Sequence, residues 1–326
     1  MSQAETNSPA VRRADARQSV RLGIDLGGTK IEIVALGAGR DGERELLRRR
    51  MPTPREDYAG TVEAIGRLVA AAEAELGAAG TVGIGIPGSI SPATGLIRNG
   101  NSTWLNDKPL KQDLEARLKR PVRLANDANC FALSEAADGA GAGALAVFGV
   151  ILGTGVGGGV VVGGEVVTGA NAVAGEWGHI PLPGRTDADG PPRRCWCGRP
   201  DCIETFLSGP AFERDYAAAA GAAGGATVQA DEIARRAEGG DAAARAAFAR
   251  YEERLARALA MVVNLLDPDI IVLGGGVSNI PALRRDIPRL WAPHIFSDRI
   301  ATRLVAAVHG DSSGVRGAAR LWSAAS

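Results

Sequence analysis

The chain has 326 residues, 45% of them hydrophobic, so it can bury a large core and is long enough for two domains. Its 37 Lys and Arg balance 37 Asp and Glu, which argues against nucleic-acid or anionic-membrane partners. No apolar run reaches about 18 residues, and residues 1–19 have no signal-peptide core and predict a disordered leader. We therefore expect a cytoplasmic protein with a small ligand.

The first predicted element is a hairpin. Residues 20–25 and 31–36 are apolar runs of strand type, and the turn between them contains Gly27, Gly28, Thr29 and Lys30 after the acid Asp25. Glycines in such a turn let backbone N–H groups face phosphate, while the acid can hold Mg²⁺ through water. An ordinary tight turn has the same pattern. The chain contains no Gly-Lys-Ser/Thr, so this is not a P-loop.

Polar residues follow the next two predicted strands. After a helix over 58–76, a strand over 81–86 ends at Pro87-Gly88, and a strand over 122–125 runs into Asn126 and Asp127. Open α/β sheets bind ligands at these strand ends. Asn126 and Asp127 could simply cap the helix predicted over 128–140. Alternatively, Asp127 could accept a proton from an alcohol in phosphoryl transfer, with Asn126 on a sugar hydroxyl.

The strand, glycine turn and strand pattern returns later in the chain. A strand over 146–152 is followed by Gly153, Thr154 and Gly155 and then by the apolar run 160–162, which predicts two related α/β halves. Gly153 to Gly158 also matches G-x-G-x-x-G, but the dinucleotide-binding fingerprint opens a helix and this one precedes a strand. We therefore discount NAD and interpret the turn as a second phosphate-binding turn.

Three of the four cysteines are crowded together. Cys195, Cys197 and Cys202 lie within eight residues, and His179 precedes them. These residue types predict a closed tetrahedral Cys₃His zinc site that would stabilise an otherwise irregular segment. Three buried free cysteines are the alternative.

Two acids flank this segment. Glu176 and Glu204 could present carboxylates to sugar hydroxyls or could be ordinary solvated acids. The chain then continues with an amphipathic helix over 242–266, a strand over 270–273 that opens into Gly274, Gly275 and Gly276, and a terminal helix over 315–322.

Together these motifs resemble, in the same order, those of the ROK family of sugar kinases (repressor, open reading frame, kinase), from about Arg21 to the end of the chain. Residues 85–92, 99–106 and 309–317 resemble bacterial fructokinases that also accept mannose or glucose. The resemblance implies an actin-like, ribonuclease-H-type α/β fold with two domains and a cleft between them. It implies a small domain of residues 20–124, completed by the terminal helix 310–326, and a large domain of 125–309 containing the zinc loop 179–202.

The resemblance also assigns roles to individual residues. Asp127 would be the catalytic base, and the substrate-binding residues would be Gly88, Asn101, Asn126, Asp127, Glu176, His179 and Glu204. ATP with Mg²⁺ would meet Asp25, Gly27, Gly28, Thr29, Lys30, Gly153, Thr154 and Gly155, with adenosine near Gly274, Gly275 and Gly276. A structural Zn²⁺ would be bound by His179, Cys195, Cys197 and Cys202.

The activity implied is ATP-dependent phosphorylation of fructose to fructose 6-phosphate by a homodimer. A glucokinase or an N-acetylhexosamine kinase of the same family is the alternative, because one or two hydroxyls or an acetyl group decide between them. A sugar-sensing repressor would need a helix-turn-helix, and only 24 residues precede Asp25. An actin-like or chaperone ATPase acting on proteins would not need the zinc loop.

Overall fold

The computed structural model describes residues 20–39, 42–221, 227–310 and 313–322. The predicted leader, residues 1–19, lies outside them. The strands are β1 (Arg21–Leu26), β2 (Lys30–Gly39), β3 (Gly42–Pro52), β4 (Thr81–Ile86), β5 (Ser89–Ile90), β6 (Ile97–Arg98), β7 (Val122–Asn126), β8 (Ala146–Leu152), β9 (Val156–Val162), β10 (Glu165–Val166), β11 (Ile270–Gly274) and β12 (Arg303–Ala306). The helices are α1 (Tyr58–Leu76), α2 (Leu110–Leu118), α3 (Asp127–Asp138), α4 (Glu204–Leu207), α5 (Gly209–Ala219), α6 (Ala230–Glu238), α7 (Ala242–Leu266), α8 (Pro281–Leu290) and α9 (Ser313–Arg320).

The chain divides into two compact units. Counting only the described residues, the first contains those up to Ser134, residues 170–172 and those from Gly314 onward, and the second contains those within 135–169 and 173–313. The division lies after Ser134 rather than after residue 124, since the start of α3 packs within the first unit. There a Cβ on Gly317 of α9 would lie 1.7 Å from the carbonyl oxygen of Cys130, so only a glycine permits this contact.

The first unit is built on a sheet with the strand order β3-β2-β1-β4-β7. Strand β1 pairs antiparallel with β2 and parallel with β4, which pairs parallel with β7. Helix α1 begins after Asp57, whose side chain accepts from the backbone N–H of Gly60. It buries Ile65 and Val69 in the same core as the β1 side chains.

The second unit repeats this plan, with the strand order β10-β9-β8-β11-β12. Strand β8 pairs antiparallel with β9 and parallel with β11, which pairs parallel with β12. The two sheets have equivalent orders and directions, which confirms the prediction of two related α/β halves. Helix α7 buries Tyr251, Leu255 and Leu259 in the core of this unit. Among the described helices, none combines the length and apolar character that a membrane span needs.

Candidate active site

The first glycine turn connects β1 and β2 as predicted. The N–H of Gly27 donates to the carbonyl of Lys30 at 3.0 Å. Thr53, which follows β3, fastens the turn from the side, because its hydroxyl donates to the Gly27 carbonyl at 2.7 Å and its N–H donates to the Thr29 carbonyl at 3.0 Å. Thr29 and Lys30 are exposed at the tip. Thr53 belongs to no motif, so the sequence gives no signal for this contact.

Asp25 lies among acids. It is opposite Glu32 on the neighbouring strand, and burial, followed by the charges of Asp127 and Glu32, raises the pKa of Asp25 to about 6. Arg50 neutralises Glu32 through a 2.8 Å ion pair between Nε and Oε2. Asp25 and Asp127 are therefore left as neighbouring carboxylates, and oxygen donors of this kind fit Mg²⁺. Burial, followed by the charges of Asp25 and Asp127, also raises the pKa of the Cys130 thiol.

We expect the variant Asp25→Asn to bind Mg²⁺-nucleotide poorly and yet to stabilise the unliganded chain at pH 8 by about 3 kcal/mol. The pKa of Asp25 is about 6 in the folded chain against an ordinary 3.8. The unfolded chain therefore loses this proton first, and stability falls as the pH rises from about 4 to about 6. Asn has no charge to lose. Denaturant unfolding of both proteins at pH 4 and pH 8, without Mg²⁺, measures the difference.

The gain should be much smaller near pH 4, where Asp25 is protonated in the folded chain and about half protonated in the unfolded chain. In the parent enzyme, KM for Mg²⁺-nucleotide should rise as the pH falls through about 6. A variant that is less stable than the parent at pH 8 would contradict this account of Asp25.

Asp127 is the first residue of α3, directly after β7. Its Oδ1 accepts from the N–H of Ala128 at 2.8 Å, and Oδ1 of Asn126 accepts from the same N–H at 2.9 Å. Asn126 has the spacing of a helix cap to this N–H, and one oxygen of Asp127 shares the same donor. Asp127 is also exposed, so its carboxylate can meet a ligand, and the two interpretations are compatible.

The predicted sugar-binding residues of the first unit lie near this strand end. The side-chain amide of Asn126 donates to the carbonyl of Gly88 at 3.1 Å. Gly88 has φ +80°, and a Cβ there would lie 2.4 Å from the carbonyl oxygen of Arg98, so its backbone needs glycine. The adjoining loop carries Asn101, which is exposed, and Asn106 closes that loop by two hydrogen bonds to the backbone of Gly100, at 2.9 and 3.0 Å.

The second glycine turn meets two other glycine segments. The N–H of Gly153 donates to the carbonyl of Gly155 at 3.0 Å, and the N–H of Gly209 donates to the carbonyl of Gly153 at 2.8 Å. Gly275 has φ +83°, and a Cβ on it would lie 2.4 Å from the carbonyl oxygen of Leu152. The glycines after β8 and β11 therefore lie side by side, at the carboxyl ends of neighbouring parallel strands.

A pocket of about 560 Å³ opens beside these glycines. It is lined by Gly153, Thr154, Gly209, Pro210, Glu213, Gln229, Ala230, Asp231, Gly276, Val277 and Asn279. Gly153, Thr154 and Gly276 were predicted to bind nucleotide. The others come from the starts of α5 and α6 and from the turn after β11, which carry no recognised motif, so sequence reasoning missed them.

The segment from Gly175 to His179 is packed onto β9. The indole N–H of Trp177 donates to the carbonyl of Gly157 at 2.9 Å, and a Cβ on Gly178 would lie 2.1 Å from the carbonyl oxygen of Val156. Strand β9 begins at Val156 rather than at residue 160, because its glycines leave room for this segment. Glu176 immediately precedes the short 3₁₀ helix Trp177–His179.

The four predicted metal ligands come together in the second unit. Nδ1 of His179 and the sulfur atoms of Cys195, Cys197 and Cys202 lie within 4.8 Å of one another. The Cys195 sulfur lies 3.6 Å from His179 Nδ1, and the sulfurs of Cys197 and Cys202 are 3.6 Å apart. A tetrahedral Zn²⁺ with bonds of about 2.0–2.3 Å needs ligand separations of about 3.5–3.8 Å. The residues therefore fit Zn²⁺, and Nδ1 is the histidine atom that would bind it.

A buried ion-pair network holds the middle of the zinc loop. Asp189 is 4% exposed and Arg254 of α7 is 2% exposed. Arg254 Nε donates to Asp189 Oδ1 at 2.9 Å, and Arg257 Nη2 donates to the same oxygen at 2.8 Å. Neither charge could remain buried without its partner. The loop thus has a polar anchor to α7 in addition to the predicted zinc.

Glu204 begins α4, directly after the zinc loop, and both of its carboxylate oxygens accept hydrogen bonds. Oε2 accepts from the N–H of Val156 at 3.0 Å, next to the second glycine turn. Oε1 accepts from the indole N–H of Trp196 at 2.7 Å. A Cβ on Gly155 would lie 2.6 Å from Oε2, so this glycine leaves room for the carboxylate. Glu204 therefore fixes the glycine turn relative to the zinc loop, a role that the sequence alone did not suggest.

The chain is similar in sequence and fold to several known proteins. Residues 21–325 match the model of the ROK family. The chain is 43% identical over 305 residues to an N-acetyl-D-glucosamine kinase of Escherichia coli O1:K1, covering 92% of this chain and 98% of that one. A ROK hexokinase from Thermus thermophilus has a TM-score of 0.79 at 34% identity, covering 92% of this chain and 96% of that one. A ROK glucokinase from Streptomyces griseus, solved with glucose and AMPPNP, has a TM-score of 0.72 at 31% identity, covering 93% and 98%.

Proposed function

This chain belongs to the ROK family and is a sugar kinase, and from that premise we propose that it transfers the γ-phosphoryl group of ATP to the 6-hydroxyl of N-acetylglucosamine. The observation that carries the reaction type is the exposed carboxylate of Asp127 at the end of β7, next to Asp25. The sugar is proposed from the 43% identity to N-acetyl-D-glucosamine kinase over nearly the full length of both chains.

Asp127 acts as the base in this proposal. Its carboxylate orients the sugar hydroxyl and accepts the proton as the oxygen bonds to the γ-phosphorus and the bond to ADP breaks. The backbone hydrogen bond from Ala128 fixes the carboxylate, so little reorientation is needed. Asn126 and Asn101 offer amide groups to sugar hydroxyls, and Asn126 is already held against Gly88.

The phosphates of ATP are assigned to the two glycine turns. Asp25 would hold Mg²⁺, which offsets charge on the transferred group. The pocket beside Gly153, Thr154 and Gly276 is large enough for adenosine. Glu213 and Asp231 line it as well, and their carboxylates can accept hydrogen bonds from ribose hydroxyls.

His179 links the zinc loop to the sugar. When Nδ1 binds Zn²⁺, the proton of the ring is on Nε2, which can then donate to a sugar hydroxyl. The metal would have a structural role, since the four protein ligands would complete its coordination. Glu176 and Glu204 are proposed to accept hydrogen bonds from the sugar.

Fructose is the second candidate substrate. It rests on the motifs at residues 85–92, 99–106 and 309–317, whereas the relatives above are named for N-acetylglucosamine, hexose and glucose. Homodimerisation and cytoplasmic localisation likewise stay predictions.

We expect N-acetylglucosamine to give the highest kcat/KM in a coupled ADP-release assay with Mg²⁺ and a panel of N-acetylglucosamine, N-acetylmannosamine, glucose, mannose and fructose. An acetyl group recognised by a hydrogen-bonding pocket separates it from glucose by about 10²-fold or more. If fructose gives the highest value, the kinase class stands and the fructose prediction is correct. If no sugar increases ATP turnover above the rate without sugar, the proposed function is wrong.

A further inference from the structure

Trp196 is an exposed aromatic side chain in a fixed orientation. It lies between the zinc ligands Cys195 and Cys197, and 63% of the residue is accessible to solvent. Its indole N–H donates to Oε1 of Glu204 at 2.7 Å. Its ring meets the ring of His179 edge-to-face, with centroids 5.0 Å apart and an angle of 86° between the planes.

Because of these contacts, only the apolar surface of the Trp196 ring is available to a ligand. Indole has one hydrogen-bonding group, the N–H, and Glu204 already accepts it. The neighbouring cysteines fix the backbone on both sides of Trp196 once a metal is bound. Exposing a large apolar ring to water carries a cost that burial by a ligand would remove. A ring held in place but uncovered is preorganised for binding.

The neighbours of Trp196 indicate what would cover it. Its two side-chain partners, His179 and Glu204, are proposed above to hold the sugar. Hexose rings carry C–H groups between their hydroxyls, and these weakly positive hydrogens pack well on the negative face of an aromatic ring. The hydroxyls of the same sugar can then meet the polar atoms of His179 and Glu204.

We propose that Trp196 is a sugar-binding residue whose indole face stacks against the C–H face of the hexose. This proposal rests on the proposed function and adds one specific contact to it. The contact depends on the ring and is independent of the indole N–H. A residue that only positioned Glu204 would depend on the N–H, so the two roles can be separated by substitution.

Two substitutions at this position test the proposal. Trp196→Phe keeps an aromatic face and removes the N–H, whereas Trp196→Ala removes both. We expect Trp196→Ala to raise KM for the best sugar of the panel about tenfold with kcat little changed, and Trp196→Phe to raise it less than threefold. KM for ATP and the zinc content should stay at the parent values in both variants.

Phe296→Ala is the matched control, because Phe296 is a fully exposed aromatic residue in the same unit and is predicted to contact no ligand. Its sugar KM should equal that of the parent. A Trp196→Ala enzyme that retains zinc and has a sugar KM within twofold of the parent would overturn the proposal. So would a Trp196→Phe enzyme as impaired as Trp196→Ala, since the N–H would then be the important group.

Intrinsic fluorescence provides a readout that needs no turnover. The best-binding sugar of the panel, added without ATP, should change the tryptophan emission of the parent, and the change should be clearly smaller in Trp196→Phe, which keeps Trp104 and Trp177. An equal change in both proteins would overturn stacking at Trp196. If no sugar drives turnover in the parent, the proposed function fails; if sugar drives turnover but the Trp196 variants behave like the parent, only this inference fails.

Discussion

Asp127→Asn is expected to lower kcat by about 10²–10⁴-fold while sugar affinity changes less than threefold. Asn keeps the size of the side chain and an oxygen that can accept from the Ala128 N–H, so the start of α3 should remain intact. It cannot accept the proton of the attacking hydroxyl. Steady-state kinetics and a sugar titration by calorimetry measure the two effects separately.

The variant should also bind Mg²⁺-nucleotide at least as well as the parent. The charge of Asp127 is one of the causes that raise the pKa of Asp25, so its removal should lower that pKa and favour the carboxylate that would hold Mg²⁺. Weaker nucleotide binding would show that Asp127 itself helps to hold the cation.

Asp57→Asn is the matched control for Asp127→Asn. Asp57 caps α1 in the same unit by accepting from the N–H of Gly60 at 2.8 Å, and Asn is as good a cap as Asp. If capping were the whole role of Asp127, the two variants would behave alike. An Asp127→Asn enzyme whose kcat is within tenfold of the parent would refute the assignment of the base.

The hairpins and the long helices could be predicted because local patterns specify them. Helices over 58–76 and 242–266 and strands over 81–86 and 146–152 have the predicted bounds in the structure. Within each of these elements the apolar residues follow the pattern of one type of secondary structure. Capping or turn residues mark the ends of the elements. The repeated glycine turn likewise indicated two related halves, which the equivalent strand orders confirm.

Strand β3 was not predicted from the sequence, because it is stabilised by its pairing with the neighbouring strand β2. Its sequence includes Arg48, Arg49 and Arg50, which do not read as a strand. The strand is explained by β2, where the buried carboxylate of Glu32 pairs with Arg48 and Arg50. Such pairing joins residues far apart in sequence, so no local pattern reveals it.

In the candidate site, too, local sequence patterns do not reveal the contacts between residues that are far apart in the chain. Asp25, Asp127 and the predicted zinc ligands lie in motifs whose spacing carries chemistry, so the sequence could single them out as candidates. Glu213 and Asp231 reach the pocket proposed for the nucleotide only because α5 and α6 begin beside it. The hydrogen bonds of Glu204 to Val156 and Trp196 also depend on tertiary structure, so they could not be read from spacing.

Loss of zinc is expected to impair sugar binding far more than nucleotide binding. As the proposed zinc ligands, Cys195, Cys197 and Cys202 would hold the segment that carries Trp196 and contacts His179. Without the metal, the thiols and the imidazole lose the centre that draws them together, while the ion pairs of Asp189 with Arg254 still anchor the middle of the loop. The pocket proposed for the nucleotide is formed by other segments, including the contact between Gly153 and Gly209. Loss of zinc should therefore disturb the zinc loop and the sugar-binding residues near it, and should leave the pocket beside Gly153 largely intact.

Cys202→Ala and Cys130→Ala form a matched pair, since both residues are fully buried free cysteines and only Cys202 belongs to the cluster. We expect Cys202→Ala to lack zinc, to melt about 10 °C lower and to have a sugar KM raised at least about tenfold, with KM for ATP within threefold of the parent. Cys130→Ala should retain about one zinc per chain and the parent sugar KM. Metal analysis, thermal melting and kinetics on the same preparations decide the matter. A zinc-free Cys202→Ala enzyme with unchanged sugar KM would refute the structural role of the metal, because cavity formation is common to both variants and only loss of the ligand distinguishes them.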